Sequence, residues 1–214
     1  MPDPFVVKDC DLLAIATGRR AHNLRELYDR LEQADPACVY YHFWGGLLRP
    51  HFDDPQFPND FAAWASHGLH DQVLAERLGI VNPANFGSLE DLRCEVLEVI
   101  EERLDETETV PWAPRDDQFH FIHSKIVVVD TGRRIEDPKQ LKKLVPQLTR
   151  GGVFYHFIDA RRRLEDDQDD FSAWLAGFGD EYLAVIDGLG TVDPYFNSLT
   201  ETRDRIAAVL TEHL

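Results

Sequence analysis

The chain carries the same short motifs twice, at a constant distance along the sequence. The tetrapeptide Thr-Gly-Arg-Arg occupies residues 17–20 and again 131–134. The tripeptide Tyr-His-Phe occupies residues 41–43 and again 155–157, so both motifs return 114 positions later. One long period that occurs once is typical of a duplicated domain and differs from the many short periods of a solenoid.

This repetition divides the chain into two segments and a linker. We predict a first repeat at residues 1–104, an acidic linker with prolines at 105–118, and a second repeat at 119–214. In each repeat the residue pattern predicts a short β element, ending at the Thr-Gly pair, and then about four helices. The predicted fold is therefore α+β, mainly α, in a tandem duplication. Two such repeats are expected to pack as an internal pseudo-dimer.

Comparison of the two repeats decides the structure around residues 39–44. Taken alone, Val-Tyr-Tyr-His-Phe-Trp is typical of a strand that ends at the following Gly-Gly pair. The second repeat has Asp-Ala in place of Gly-Gly and keeps apolar residues at helical spacing through Leu164, so we predict a helix in both repeats. A further helix is predicted to run from Asp60 through Leu74. The predicted helix caps are Asn23, Asp60, Ser88, Asp137, Asp170 and Ser198.

Composition excludes several classes of protein. The formal net charge is −17, and binding to a phosphate backbone needs a basic face, so nucleic acid is not an expected partner. No apolar run is long enough to cross a membrane, and the N-terminus does not resemble a signal peptide. The sequence therefore predicts a soluble, cytoplasmic protein without a membrane partner.

The order of several motifs resembles a family of uncharacterised prokaryotic proteins, a domain of unknown function. The motifs are TGxxAxNLxEL from Thr17, YYHF from Tyr40, NDFAAW from Asn59 and SLEDLR from Ser88. The resemblance covers both repeats and implies that the domain is present twice. Because the second repeat departs from the pattern, with Pro138 in place of Leu24, the resemblance implies that the first repeat is the better candidate for a retained site.

The polar residues shared by both repeats are the candidates for chemistry. His42 and His156 come first, with Asp60 and Asp170 as possible catalytic carboxylates. If His42 lies on a helix, Arg49 is on the same stripe, and both could face one acidic group. The alternative is a histidine at the edge of the core that is hydrogen-bonded to a backbone carbonyl or to Asp60.

A wider set of residues could bind a ligand. The arginine pairs after the Thr-Gly turns could hold an anion, and the tryptophans could stack on a sugar. The alternatives are ion pairs with nearby acids and simple core packing. The candidates are Thr17, Gly18, Arg19, Arg20, Tyr41, Arg49, Trp64, Arg93, Arg133, Arg134, Tyr155, Arg163, Trp174 and Arg203.

The first repeat is rich in histidine, which raises the question of a metal site. The candidate ligands are His42, His51, His67 and His70, and a helix would place His67 and His70 on one face. Their spacing matches no established ligand signature, so the sequence predicts no metal and no cofactor.

Three hypotheses on function remain open. The first is a non-catalytic binding or regulatory module that acts through a protein partner, since no catalytic motif is present. The second is an enzyme or ligand-binding protein for a phosphorylated or carbohydrate substrate, using His42, Asp60 and an arginine pair. The third is a metal-binding protein with its site in the first repeat.

Overall fold

The described residues form two β-strands of equal length. In a computed structural model, which describes residues 2–49, 56–164 and 167–214, β1 spans Phe5–Ala21 and β2 spans Phe119–Ile135. They form a two-stranded sheet. The Thr17 hydroxyl donates to the Phe121 carbonyl and the Thr131 hydroxyl to the Val7 carbonyl. The partner's number falls as the first number rises, so the strands are antiparallel.

The strands are longer than the sequence predicted. Each was expected to end at its Thr-Gly pair, but each continues through the glycine, which has φ +76° at Gly18 and +75° at Gly132. Glycine adopts this left-handed conformation at little cost. The threonine hydroxyl then accepts a hydrogen bond from the amide two residues later, at 3.1 Å for Arg19 and 3.3 Å for Arg133. The glycine therefore bends the strand locally without ending it.

The chain forms two compact units, which we name by their position in the sequence. The central unit is Leu12–Lys125, and the terminal unit combines Met1–Asp11 with Ile126–Leu214. These boundaries differ from the predicted segments because each strand begins in one unit and ends in the other. Residues 105–118, predicted as a linker, belong to the central unit, where the Ala113 amide donates to the His22 carbonyl at 2.7 Å.

The central unit has five α-helices among its described residues, where about four were predicted. The predicted helix from Asp60 through Leu74 is two helices, because the chain turns between Gly68 and Asp71 with His70 at φ +56°. The helices are α1 (Leu24–Glu32), α2 (Pro36–Leu48), α3 (Asp60–His67), α4 (Gln72–Gly79) and α5 (Leu89–Glu106).

The terminal unit has six α-helices in the part of it that the structure describes. A π-helical turn, Phe154–Asp159, joins α7 to α8 without a break, so the predicted helix around His156 is present. Asp137 caps a 3₁₀ turn before α6, and Ser198 caps α11. The helices are α6 (Leu141–Leu144), α7 (Arg150–Val153), α8 (Ala160–Arg163), α9 (Asp170–Ala176), α10 (Leu183–Gly190) and α11 (Leu199–His213).

Each core combines helices with the buried end of one strand. In the central unit, Phe119 and Phe121 of β2 are buried, and the Phe119 ring stacks on Phe61 with 5.2 Å between centroids. In the terminal unit, Phe5 of β1 is buried and stacks on Phe171 at 5.4 Å. The remainder of each strand is largely exposed. Burial of these aromatic rings fixes the strand on the helices. None of the described helices is both long and apolar enough to span a membrane.

Candidate functional site

The central unit contains a buried histidine whose two ring nitrogens are both hydrogen-bonded. His42, on α2, is 3% exposed. Its Nδ1 lies 2.8 Å from Oδ2 of Asp60, at the start of α3, and its Nε2 accepts from the Ile122 amide of β2 at 3.2 Å. Arg49 Nη2 donates to both oxygens of Asp60, at 2.9 and 3.1 Å. We call His42, Asp60 and Arg49 the His42 cluster.

The terminal unit contains a matching set, the His156 cluster of His156, Asp170 and Arg163. His156 Nδ1 lies 2.7 Å from Asp170 Oδ2, and its Nε2 accepts from the Lys8 amide of β1 at 2.9 Å. Arg163 Nη2 donates to Asp170 Oδ2 at 3.0 Å. Each cluster therefore ties together two helical segments and a strand.

The geometry fixes the protonation of both imidazoles. A ring nitrogen that accepts from a backbone amide carries no proton, so Nε2 is unprotonated and Nδ1 holds the proton donated to the aspartate. Burial alone would raise the pKa of Asp60, but the hydrogen bond from His42 and the charge of Arg49 hold that pKa below its usual range. Neither imidazole has a free nitrogen with which to take a proton from a bound molecule.

Asp60 and Asp170 are free for these contacts because other residues cap their helices. They were predicted as caps, and this was wrong by one position. Asn59 caps α3 by accepting from the Ala62 amide at 2.9 Å. Asp169 caps α9 by accepting from the amides of Phe171 and Ser172 at 3.0 and 2.9 Å. An aspartate just inside a helix start points away from the capping position, which leaves its carboxylate for another partner.

A tyrosine ring lies beside the arginine of each cluster. The guanidinium carbon of Arg49 lies 5.1 Å from the Tyr41 ring centroid, and that of Arg163 lies 4.0 Å from the Tyr155 ring centroid. Both distances are within the range of a cation–π contact. The indole Nε1 of Trp64 donates to the Asp117 carbonyl at 2.7 Å, and that of Trp174 donates to the Asp3 carbonyl at 2.8 Å.

A cavity of about 350 Å³ lies beside the His156 cluster, within the terminal unit. Two of its lining residues, Lys8 and Arg163, are cationic, and Trp174 and Tyr155 are aromatic. Tyr155, Arg163 and Trp174 were among the predicted ligand-binding residues, whereas Lys8 was not. The sequence gives no signal for Lys8, because the position 114 residues later holds Ile122 and the lysine is therefore not a shared polar residue. The cavity involves helices within residues 119–214, whereas the resemblance favours residues 1–104 as the segment with a retained site.

The arginines after the Thr-Gly pairs lie outside this cavity. Arg134 pairs with Asp130 at 2.5 Å, and this hydrogen bond lowers the pKa of Asp130 to about 2. Arg19 donates to the Gln33 carbonyl at 3.4 Å, and Arg133 to the Gln147 side chain at 3.3 Å. Arg20 is exposed. Arg134 thus forms the ion pair with a nearby acid that was the alternative to an anion site, whereas Arg19 and Arg133 contact uncharged groups.

Arg93 and Arg203 bind main-chain carbonyl groups. Arg93 Nη1 donates to the Ala34 carbonyl at 2.6 Å and also pairs through Nη2 with Glu90. Arg203 Nη1 donates to the Leu148 carbonyl at 3.4 Å. Both arginines therefore hold the turn before a neighbouring helix in place.

The histidines proposed as metal ligands do not meet. His70 lies in the turn after α3, so it does not share a helical face with His67, and that expectation was wrong. His42 is held by Asp60 and Ile122, and His51 lies outside the described residues. Across residues 2–49, 56–164 and 167–214, no group of three or more His, Cys, Asp or Glu side chains could hold a metal ion.

Comparison with known proteins identifies the family. A family model described as "Family of unknown function (DUF5752)" matches residues 2–211 in one continuous stretch. The chain belongs to this family. Among solved structures, the chain is similar to "The structure of OrfY from Thermoproteus tenax", with a TM-score of 0.83 and 30% sequence identity over 99% of this chain and 95% of that one. No curated protein matches it.

Proposed function

We propose that this protein is a non-catalytic binding module that acts through a protein partner. The observation that carries the proposal is the engagement of both ring nitrogens of His42 and of His156. A general base needs a nitrogen within reach of the substrate. Here the imidazoles instead hold a strand against two helices, which is a structural role.

We also infer that the chain arose by duplication of one domain. The inference is supported by the motifs that recur 114 residues apart and by the matching partners of His42 and His156. The internal pseudo-dimer and the cytoplasmic location expected from the sequence stay predictions.

The surface best suited to a protein partner is the exposed stretch of β2 in the terminal unit. Val127, Val128 and Val129 are 50%, 40% and 57% exposed. Successive residues of a strand point to opposite faces, so both faces of this stretch are open to solvent. The described part of the chain has a two-stranded sheet, so the side of β2 away from β1 has no strand neighbour. An exposed apolar edge strand is a template for pairing with another chain.

The occupant that fits this edge is an extended segment of a partner protein, rich in β-branched apolar residues. Main-chain hydrogen bonds along the edge would supply affinity, and contacts with the three valines would supply specificity. Asp130, at the end of the stretch, is already paired with Arg134. The recognition is therefore expected to depend on apolar contacts more than on charge.

Site-specific photo-crosslinking in cells of the source organism tests this proposal. A photoreactive amino acid at Val128 should give one discrete adduct, and the same amino acid at Glu98, which is exposed on α5, should give none. In the Val127→Lys/Val129→Lys variant the adduct at Val128 should disappear while the unfolding midpoint stays close to that of the wild type. No adduct at Val128, or equal adducts at both positions, would overturn the proposal.

The second hypothesis, an enzyme for a phosphorylated or carbohydrate substrate, is less well supported. It assigned catalysis to His42 and Asp60, whose polar atoms are occupied by each other, by Arg49 and by Ile122. A ligand-binding role without catalysis is supported by the cavity beside His156 and is developed below. The third hypothesis, a metal site in the first repeat, has no group of ligands to support it in the described residues.

A further inference from the structure

The cavity in the terminal unit is lined by Lys8, whose positive charge the fold does not need. The Lys8 amide donates to His156 Nε2, and in the central unit the Ile122 amide makes the same contact with His42 Nε2. Since an isoleucine suffices for that contact, the ammonium of Lys8 has no role in it. Lys8 is half-buried, and its Nζ lies 3.5 Å from the Tyr155 hydroxyl and 5.5 Å from the Tyr155 ring centroid.

The ammonium of Lys8 has no carboxylate partner within 4.0 Å among the described residues. Removing a positive charge partly from water costs free energy unless an anion replaces the lost hydration. The nearest acids at the cavity are otherwise engaged, because Asp170 accepts from both His156 and Arg163. Asp130 is near enough for the charge of Lys8 to help lower its pKa, but its carboxylate is paired with Arg134. An anionic group in the cavity would give Lys8 a partner at hydrogen-bonding distance.

Arg163 is held in one orientation and keeps donors to spare. Its Nε donates to Asp159 at 2.8 Å, and its Nη2 donates to the Tyr155 carbonyl and to Asp170, each at 3.0 Å. These bonds use three of the five N–H groups. The two on Nη1 make no hydrogen bond to any described residue. A carboxylate or phosphate oxygen is the acceptor that a guanidinium binds best.

Trp174 forms an aromatic wall of the same cavity. Its indole is fixed by the hydrogen bond to Asp3 and by contact with Phe5 and Phe178, with ring centroids 5.5 and 5.0 Å away. The cavity volume of about 350 Å³ is at the lower end for small-molecule sites, which span roughly 300–1,000 Å³. It therefore suits a small organic molecule better than a polymer.

We propose that this cavity binds a small organic anion, with its carboxylate or phosphate monoester at Lys8 and Arg163 and its apolar or ring portion against Trp174. In the central unit Ile122 takes the place of Lys8, so the contact with His42 brings no ammonium there. The proposal is independent of the edge strand and of any protein partner. Binding here needs no catalytic group, since both nitrogens of His156 are occupied.

Calorimetric titration of the full chain tests this site, with phenyl phosphate as the probe and benzyl alcohol as its neutral counterpart. Phenyl phosphate should bind at one site per chain, and benzyl alcohol should not bind measurably. The Lys8→Ile variant, which introduces the residue of the central unit, should weaken binding about tenfold, the usual effect of one charge-assisted hydrogen bond. The matched control is Lys125→Ile. It removes an exposed lysine of β2, the strand that pairs with the strand of Lys8, and should leave binding unchanged.

Two results of this titration would contradict the proposal. If inorganic phosphate binds as tightly as phenyl phosphate, Trp174 contributes nothing and the proposed ligand class is wrong. If phenyl phosphate does not bind at millimolar concentration, or if the two lysine variants weaken it equally, the site itself is refuted. The unfolding midpoint of Lys8→Ile, expected to be near that of the wild type, shows whether lost binding reflects lost folding.

Discussion

The His42 cluster and the His156 cluster have the same geometry but different surroundings. Arg49 Nε donates to the carbonyl of Gly45 at 3.4 Å, whereas Arg163 Nε donates to the buried carboxylate of Asp159 at 2.8 Å. The three hydrogen-bonded side chains are common to both units, so they are what the fold requires. The charges added around the second cluster are not required by the fold, and this is where the two units can differ in function.

The helices that carry the two histidines also differ. His42 lies on a regular α-helix, α2, while His156 lies in the π-helical turn Phe154–Asp159. A π turn widens the helix locally and often occurs at a functional site. It places Tyr155 and His156 at the cavity and Asp159, which is 1% exposed, beneath Arg163. The terminal unit thus combines an altered helix, an added lysine and a cavity at one place.

The largest expected effect comes from removing either histidine. His42→Ala or His156→Ala would delete a buried ring, leave a backbone amide without an acceptor and strip the aspartate of a donor. Each substitution should lower the free energy of unfolding by about 3–5 kcal/mol. Denaturant unfolding gives the total loss, and amide hydrogen exchange should locate it in the central unit for His42→Ala and in the terminal unit for His156→Ala.

The control for this pair is His67→Ala, at an exposed position on α3, which should change stability by less than about 0.5 kcal/mol. Equal losses for His42→Ala and His156→Ala would agree with a shared structural role. A histidine that can be removed without loss of stability would break the equivalence of the clusters and reopen a chemical role for that residue.

A smaller effect is expected where a helix of the terminal unit touches β1. A Cβ atom added at Gly151 would lie 2.0 Å from the Cys10 carbonyl oxygen, so strand or helix must shift. Gly151→Ala should destabilise the protein by about 2–3 kcal/mol, as overpacking commonly does. The equivalent position of the central unit holds Ala37, so the close approach is specific to the terminal unit. Thermal unfolding measures the change.

Gly46→Ala is the matched control, because a Cβ atom there meets no atom of the described residues within 4 Å. Replacing a glycine inside a helix by alanine, where the added methyl group meets no steric clash, should stabilise the protein by about 0.5–1 kcal/mol. If both substitutions stabilised the protein, β1 would not lie against α7 as described.

The helices around the histidines could be predicted from the sequence. That each strand begins in one unit and ends in the other could not. Residues 39–44 have strong β propensity, and only the second repeat indicated that they are helical, as α2 is. The caps at Asn23, Ser88, Asp137 and Ser198 followed from local chemistry and are confirmed. Which unit Phe5 packs against depends on long-range contacts, and Phe61 and Phe171 are similar partners, so sequence pattern alone does not decide it.

Local sequence patterns predicted the histidine cluster of the candidate site but not its lysine. The one helical stripe holding His42 and Arg49 predicted a common acidic partner, and Asp60 is that partner. Lys8 carries no such signal, because its importance lies in its difference from Ile122. Residues shared by the two units, such as His42 and His156, stabilise both of them, and residues that differ, such as Lys8 and Ile122, determine what only one unit can bind.

The smallest predicted effect concerns two carboxylates whose pKa values move in opposite directions. Burial raises the pKa of Asp169 and outweighs its hydrogen bonds to Ser172 and the charge of Arg161, while the pKa of Asp60 is lowered by His42 and Arg49. A lowered folded-state pKa contributes stability that is present above the unfolded pKa of about 3.9 and is lost as pH falls. A raised one has the opposite sign, so Asp169 reduces stability as pH rises above about 4.

Asp169→Asn should therefore stabilise the protein at pH 7, by less than about 1 kcal/mol, and have no effect near pH 3, where the aspartate is protonated in both states. The central unit already has this arrangement, since Asn59 caps α3 with a neutral side chain. Asp60→Asn should instead destabilise the protein at pH 7, and the loss should shrink on acidification. Denaturant unfolding at several pH values measures both. A variant Asp169→Asn that is less stable than the wild type at pH 7 would mean that the carboxylate is held by Arg161, 3.8 Å away, more strongly than burial opposes it.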